Sequence, residues 1–347
     1  MTNRSTACPW HACRVAFLAT SAMALVVTLT TPSVAAEHVK IGIVRSLGGA
    51  PVFVAKEKGF FDAEGLDAEL VLFDAAQPIA VAATSGDIDF GTTGMTAAFF
   101  TLASQGVLKL IGAGTWEHPG FQSIGFLVSN QAYATGLKSF KDMGGRSAAI
   151  TQLGTPLHYN LARVVEKYGV DLKTVRVLAL QSNSNVSSAL AGGQADTAVQ
   201  TAANAYPLVQ RGDARLLGWV GDELPPGQSE GTFTATKLAN ERPETVKHFL
   251  TAIRNGERAW DDAFTDANGK RQDQATAPEM VAIAAKVLGQ PPEIIKLGIA
   301  YYDPQARVAM SDVRRIVEWY KAQNMLKGEI DVDALVDKRY AILASEH

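Results

Sequence analysis

Very few side chains in this sequence stand at spacings that support covalent chemistry. Beyond residue 36 the histidines are His38, His118, His158, His248 and His347, and no two have the H-x-x-x-H spacing that sets a pair of imidazoles on one helix face for zinc. The glycine-rich stretches fit neither G-x-x-x-x-G-K-[ST] nor G-x-G-x-x-G, so a nucleotide phosphate finds no cradle. No serine on a strained strand-to-helix elbow is expected, which leaves a hydrolase without its nucleophile. The acid pairs Asp87/Asp89 and Asp261/Asp262 read as solvated or capping groups. Both cysteines, Cys8 and Cys13, lie ahead of the first apolar stretch. An enzyme is therefore not expected, and neither is a cofactor or a metal.

The sequence is better equipped to hold a ligand. Arg45 closes the first strand and could pair with a carboxylate or sulfonate, although a surface ion pair would use it equally well. Trp116 and His118 lie in the loop Gly114-Thr115-Trp116-Glu117-His118-Pro119-Gly120, which either walls a cleft with an aromatic plane or turns away from it. His158, near a helix start, could donate to an anion or serve as a packed or capping group.

These groups need a scaffold, and the hydrophobic pattern supplies one. Val39 to Val44 alternates as a strand and runs into Ser46-Leu47-Gly48-Gly49-Ala50-Pro51, a turn; a helix follows over Val52–Phe61. Ala68–Phe73 is a strand, a helix runs from Gln77 to Ser85-Gly86, and Asp89-Phe90-Gly91 opens a short strand that stops at Thr92-Thr93-Gly94. The order then repeats: strand Ser147–Thr151, helix Leu157–Lys167, strand Val175–Leu180, helix Ser187–Ala191 and a strand from Asp196. Gly86-Asp87-Ile88-Asp89 and Gly193-Gln194-Ala195-Asp196 share a G-x-x-D pattern after the second helix of each half. Strands alternating with helices imply parallel sheets covered on both faces, as two related lobes or as one large doubly wound sheet. Three amphipathic helices, Pro243–Asp262, Ala277–Leu288 and Ser311–Gln323, form a tail that could cover the first lobe, and the polar run Asp266–Gln274 reads as an exposed loop.

In open α/β sheets ligands bind beyond the carboxyl ends of the strands. Those ends are Ser46, Leu47, Gly48 and Gly49, Phe73-Asp74-Ala75, Thr92 and Thr93, and Gly114-Thr115-Trp116 in the first half. In the second half they are Gln152 to Thr155 (with Gly154 and, just beyond, Leu157), Ser182-Asn183-Ser184, and Gln200-Thr201. Most are small or hydroxyl-bearing and precede helices, whose free N–H groups favour an electronegative ligand group. Singly, each could be no more than an N-cap.

The chain has 347 residues, 47% hydrophobic and 19% charged, enough for about two domains of ~150 residues. With 32 Lys+Arg against 35 Asp+Glu there is no basic excess to neutralise a phosphate backbone, so nucleic acid is not an expected partner. Residues 1–36 contain no acid, begin with Arg4 and Arg14, continue through the apolar stretch Val15–Leu29 and end on Val34-Ala35-Ala36, the pattern of a cleaved export signal; an uncleaved anchor is the alternative. Cleavage at Ala36 would remove those two arginines and both cysteines, leaving an acidic chain with 30 basic groups against 35 acidic ones and no thiol.

Gly48-Gly49-Ala50-Pro51, the run Ala55-Lys56-Glu57-Lys58-Gly59-Phe60-Phe61-Asp62-Ala63-Glu64-Gly65-Leu66 and Ala83-Thr84-Ser85-Gly86-Asp87-Ile88-Asp89-Phe90-Gly91 resemble one family, the nitrate/sulfonate/taurine and thiamine-precursor substrate-binding proteins of ABC importers. Tyr301-Tyr302-Asp303-Pro304 and Trp319-Tyr320-Lys321-Ala322-Gln323 fit the same group, and the resemblance spans nearly all of the chain after the leader. It implies an α/β, type II periplasmic-binding-protein fold: lobe one over 37–128 and 232–347, lobe two over 129–231, and a ligand cleft between them. It further implies a periplasmic monomer that captures a small anionic organic ligand and delivers it to an inner-membrane ABC permease. Ser46 to Gly49, Thr92-Thr93 and Gly154-Thr155 carry over as ligand contacts. Where many relatives have W-D-P after the second G-x-x-D, this chain has Thr201-Ala202-Ala203, which implies room for a larger or aromatic anion. Thiamine-pyrimidine synthases share the fold but carry a cysteine-rich motif absent here, and a ligand sensor for a membrane receptor would look the same in sequence.

Overall fold

In the computed structural model, which describes residues 35–345, the strands are β1 (Glu37–Val44), β2 (Leu66–Phe73), β3 (Phe90–Gly94), β4 (Leu108–Ala113), β5 (Thr115–Glu117), β6 (Ile124–Ser129), β7 (Ser147–Ile150), β8 (Arg176–Ala179), β9 (Thr197–Thr201), β10 (Ala214–Trp219), β11 (Gly227–Gln228), β12 (Glu230–Ala235) and β13 (Tyr301–Tyr302). They form two five-stranded sheets, in the orders β2-β1-β3-β12-β4 and β10-β6-β9-β7-β8, and a ribbon β11-β5-β13. The expected export signal lies outside the described residues up to position 34.

The sheets are mixed rather than wholly parallel. β1 pairs in parallel with β2 and β3, and β7 with β8 and β9, but β12 runs antiparallel to β3 and β4, and β6 antiparallel to β9 and β10. In each case the reversed strand is the one that follows a crossover from the other sheet. Arriving from the cleft side, it has to enter its sheet from the edge at which the parallel strands end. The sequence shows strand–helix alternation but carries no mark of this reversal. β6 already belongs to the second sheet, although it precedes the expected boundary at residue 129; β12 rejoins the first sheet from Glu230. The two crossovers run side by side, with Trp116 facing Gln228 on one edge of β5 and Tyr301 on the other.

Local sequence explains the elements. Val39, Ile41 and Ile43 alternate along β1 and are fully buried. The expected helix 52–61 is two pieces, Ala50–Glu57 and Phe60–Ala63, because Gly59 takes a left-handed φ of +71° between them. Helix Gln77–Ser85 ends where expected, on Gly86 at φ +84°, the left-handed terminator that glycine adopts without a Cβ clash. In the tail, helix Pro243–Phe264 buries Val246, Phe249, Leu250, Ile253 and Trp260 along one face, and Phe249 stacks on Phe90 of β3 at 3.7 Å. Phe249→Ala would cost about 3–5 kcal/mol by the usual cost of truncating a buried aromatic. Helices Ala277–Leu288 and Met310–Ala322 complete the tail, and with the helices of the first sheet they cover both of its faces. The second sheet is likewise covered, by Leu161 and Val164 on one side and by Val186 and Leu190 on the other.

The repeated G-x-x-D pattern has a shared structural role. Asp89 Oδ2 accepts from Lys40 N at 2.8 Å, and Asp196 Oδ2 accepts from Ser147 N at 2.8 Å, so in each half the aspartate ties the end of the second helix to the first strand. The sequence separation is 49 residues in both. Asp89 also receives Arg242 at 2.8 Å, and Asp196 receives the Ser147 hydroxyl at 2.7 Å. These aspartates are bound from the interior side, not merely solvated.

Candidate functional site

Between the two sheets lies a narrow cavity of about 60 Å³, measured to the centres of water-sized spheres. The first sheet supplies Ser46, Leu47 and Gly48 from the turn after β1, and Ala75-Ala76 ahead of helix Gln77–Ser85. Thr93 and Gly94 at the end of β3 complete that wall. The second sheet supplies Thr155, Pro156 and Leu157 at the start of helix Pro156–Lys167, Asn183 at the start of helix Asn183–Ala191, and Thr201 before helix Ala202–Gln210. Helix N-termini thus converge from both sides, with the positive ends of their dipoles toward the space; some first-turn N–H groups already have partners, Ala202 N on Ser123 O and Asn185 N on the Ser182 hydroxyl. Thr93 Oγ1 is buried there without a hydrogen-bond partner, an unmet polar group of the kind a ligand satisfies.

Of the residues singled out from sequence, Ser46, Leu47, Gly48, Thr93, Thr155, Leu157, Asn183 and Thr201 line this cavity. The others do not. Arg45 is half exposed, 3.8 Å from the exposed carboxylate of Asp74, and is not part of the wall. Gly49 faces the core, where an added Cβ would meet Ile43 at 2.3 Å. Thr92 is held across the sheet by Thr232, hydroxyl to hydroxyl at 3.1 Å. Trp116 is in the ribbon between β11 and β13, and His118 packs on Tyr301 at 4.6 Å. Gly154 joins the two halves directly: its carbonyl accepts from Ala97 N at 2.9 Å and its N–H donates to His158 Nδ1 at 3.3 Å. Burial pushes the His158 imidazole down to about 4, so it stands neutral against Trp319 rather than donating to an anion. Ser184 is exposed, and Gln200 is buried, donating to Ser187 Oγ at 2.9 Å.

Sequence reasoning missed Gln122, Ser123, Ile124 and Glu230, all on the cavity wall. The cause is the strand reversal. β6 and β12 present their amino ends at the edge where every other strand presents its carboxyl end, so a rule about carboxyl ends passes over them. A strand directly after a crossover is the signal that could have found them.

Glu230 is the one carboxyl set into the cavity's inner wall. Oε2 accepts from Thr115 Oγ1 at 2.9 Å, and Gly48 lies so close that a Cβ there would sit 2.5 Å from the carboxylate. Burial raises its pKa to about 7, against the lowering effect of the Thr115 hydrogen bonds. Behind it in the ribbon, burial raises Glu117 to about 8, opposed by a Ser123 hydrogen bond and reinforced by the charge of Glu230. The other acid of the wall, Asp74, is at the exposed mouth, and no Lys, Arg or His side chain lines the cavity.

Ser229 lies in Gly227-Gln228-Ser229-Glu230-Gly231, which has G-x-S-x-G spacing. Here the string links two strands, not a strand and a helix, and Ser229 is buried with its hydroxyl donating to Thr115 O at 3.2 Å. It has neither the elbow nor the exposure of a hydrolase nucleophile. Among the described residues no group of three or more His, Cys, Asp or Glu side chains is placed to hold a metal ion.

The family model described as NMT1/THI5 like matches residues 48–267, from the first cavity turn to the end of the long tail helix. The chain belongs to that family. A protein of Brucella abortus (strain 2308), named only as a binding protein, is 30% identical over 268 residues, covering 74% of this chain and 76% of its own. The alkanesulfonate-binding protein SsuA of Xanthomonas axonopodis pv. citri, solved bound to MOPS, superposes with a TM-score of 0.70 at 21% identity, over 86% of this chain and 97% of that one. The periplasmic nitrate-binding protein NrtA of Synechocystis PCC 6803 superposes with a TM-score of 0.67 at 15% identity, over 87% and 85%. At those identities the likeness is one of fold, and the fold of this NMT1/THI5-like chain is that of the periplasmic binding proteins.

Proposed function

We propose that this NMT1/THI5-like chain is an exported, non-catalytic solute-binding component of an ABC importer. It captures a small organic ligand carrying an electronegative acid group, of sulfonate or carboxylate type, and delivers it to an inner-membrane permease as a monomer. The observation that carries the reading is the convergence of helix N-termini from both sheets on one cavity, with the buried Thr93 hydroxyl unmet between them. Such ends stabilise negative charge through aligned N–H dipoles without a formal cation, which suits a wall that has no Lys, Arg or His. The fold neighbours that bind an alkanesulfonate and nitrate support the same ligand class. The first lobe would comprise 37–114 with 230–345 and the second 124–219, hinged at the β5–β11–β13 ribbon.

A cleft of this kind works by closure. Ligand contacts made by both lobes exist only in the closed form, and that difference in affinity shifts the equilibrium. The test is thermal unfolding of the chain without its leader against sulfonates, aliphatic and aromatic carboxylates, nitrate and pyrimidines. A ligand of the native state raises Tm by mass action, so the reading expects a saturable rise confined to one chemical class. No rise with any acid-bearing compound would overturn it.

A further inference from the structure

We propose, building on the binding reading above, that Glu230 makes the cleft select a ligand with a protonated amine as well as an acid group, so that the preferred solute is zwitterionic and not a simple anion. Glu230 faces the same cavity as the helix N-termini, and the wall around it holds no cationic side chain to neutralise it. Its position is fixed on two sides, by the Thr115 hydroxyl at 2.9 Å and by the backbone of Gly48, which has no side chain to displace the carboxyl. A buried carboxylate without a counter-charge is costly, and a ligand ammonium is the group that removes that cost. A bare anion, by contrast, would bring a second negative charge toward it. The cleft therefore has two unlike ends: N–H dipoles for the acid group and Glu230 for the amine.

The groups facing Glu230 are all known. Thr115 and Glu117 come from β5, Tyr302 from β13 and Gly48 from the turn after β1; Asp74 stands at the mouth. None is cationic, so a ligand ammonium would be the one counter-charge to the ionised Glu230 at this wall. Burial raises Glu117 behind it, and the charge of Glu230 raises it further, so Glu117 supplies no positive charge to Glu230.

The experiment compares 3-aminopropanesulfonate with propanesulfonate, and 4-aminobutanoate with butanoate, by calorimetric titration of the wild-type chain and of Glu230→Gln. The expected result is a preference of about tenfold or more for each aminated member, the worth of one charge-assisted hydrogen bond, and its loss in the Gln variant. Wild-type affinity for the aminated members should also fall as pH drops from 8 to 5. Equal or better binding of the deaminated members overturns the role of Glu230 while leaving the binding reading intact, as does a preference that survives in Glu230→Gln. Binding that strengthens as pH falls also overturns it, because Glu230 would then act as a neutral donor to the acid group. Silence from all four compounds overturns the zwitterion proposal; the broader panel above then decides the binding reading separately. The wild-type pH series needs no variant, so a Gln substitution that fails to fold does not protect the proposal.

Discussion

Gly94→Ala should weaken ligand binding by holding the lobes apart. Gly94 ends β3 in the first sheet, and a Cβ added to it would lie 2.7 Å from both Cδ and Cγ of Pro156, the first residue of helix Pro156–Lys167 beyond the second sheet. Ordinary carbon contacts lie at about 3.5–4.0 Å, so roughly 1 Å of separation is missing. The proline ring cannot swivel away, and its helix is anchored by Leu161, Val164 and Val165 in the second core. Separation of the lobes is the softer response. Overpacking of this kind costs about 1–3 kcal/mol. Charged to the closed form alone, that is a roughly 5- to 150-fold loss of affinity. Calorimetric titration with the strongest compound of the thermal-shift panel reads the loss. Spin labels on Val81→Cys and Lys173→Cys, one exposed site in each half, read the separation without ligand. The described residues contain no other cysteine, so labelling is confined to these sites once the leader is removed. The reasoning is refuted if affinity and label distance are both unchanged, or if Tm falls while both stay put, since the strain would then be absorbed inside one half.

Three further outcomes follow from the geometry. Arg45→Ala should leave affinity within about twofold, because the guanidinium is outside the cavity and a half-exposed pair with Asp74 is worth little; a tenfold loss in titration would restore Arg45 as a ligand contact. Asp196→Ala should destabilise by about 1–3 kcal/mol in urea unfolding, since Ser147 N and Oγ lose a charged acceptor. The folded-state pKa of Asp196 is lowered by the Ser147 hydrogen bonds and Arg146 despite the opposing effect of burial, so its contribution is present above the ordinary aspartate range near 4 and lost as pH falls through the lower folded value. The wild type should therefore lose more stability than the variant between about pH 5 and 2; parallel acid limbs would contradict this. Gln77→Ala, which removes the 2.6 Å bond to Leu153 O across the halves, should weaken binding several-fold by loosening the closed form while leaving Tm nearly unchanged.

Much of the scaffold was legible because its signals are local. Alternation marks β1, Gly86 marks the end of helix Gln77–Ser85, and the spacing of Phe249 and Ile253 marks the buried face of the long tail helix. The cavity residues that precede helices were legible for the same reason: Ser46, Thr93, Thr155 and Thr201 lie at or just past the carboxyl ends of parallel strands, where turn chemistry is visible. What could not be read is long-range. Nothing in Gln228-Ser229-Glu230 says that the chain has just crossed between sheets and enters the next one in reverse, yet that reversal is what puts a carboxyl in the cleft. Arg45 shows the converse. Its position at a strand end is right and its charge is apt, but the side chain turns outward to Asp74. The aromatic loop of Trp116 and His118 fits either a cleft wall or a turn away from the cleft; the structure places those rings in and against the ribbon between the halves.

The central claim is that a ligand bridges the two halves and holds them together. The most direct test is the distance between the Val81→Cys and Lys173→Cys spin labels, recorded with and without the compound that gives the largest thermal shift. A single narrow distance is expected at saturation and a broader or displaced distribution without ligand, with the ligand concentration needed for the change raised roughly 5- to 150-fold by Gly94→Ala. A distribution that is the same at zero and saturating ligand would contradict it.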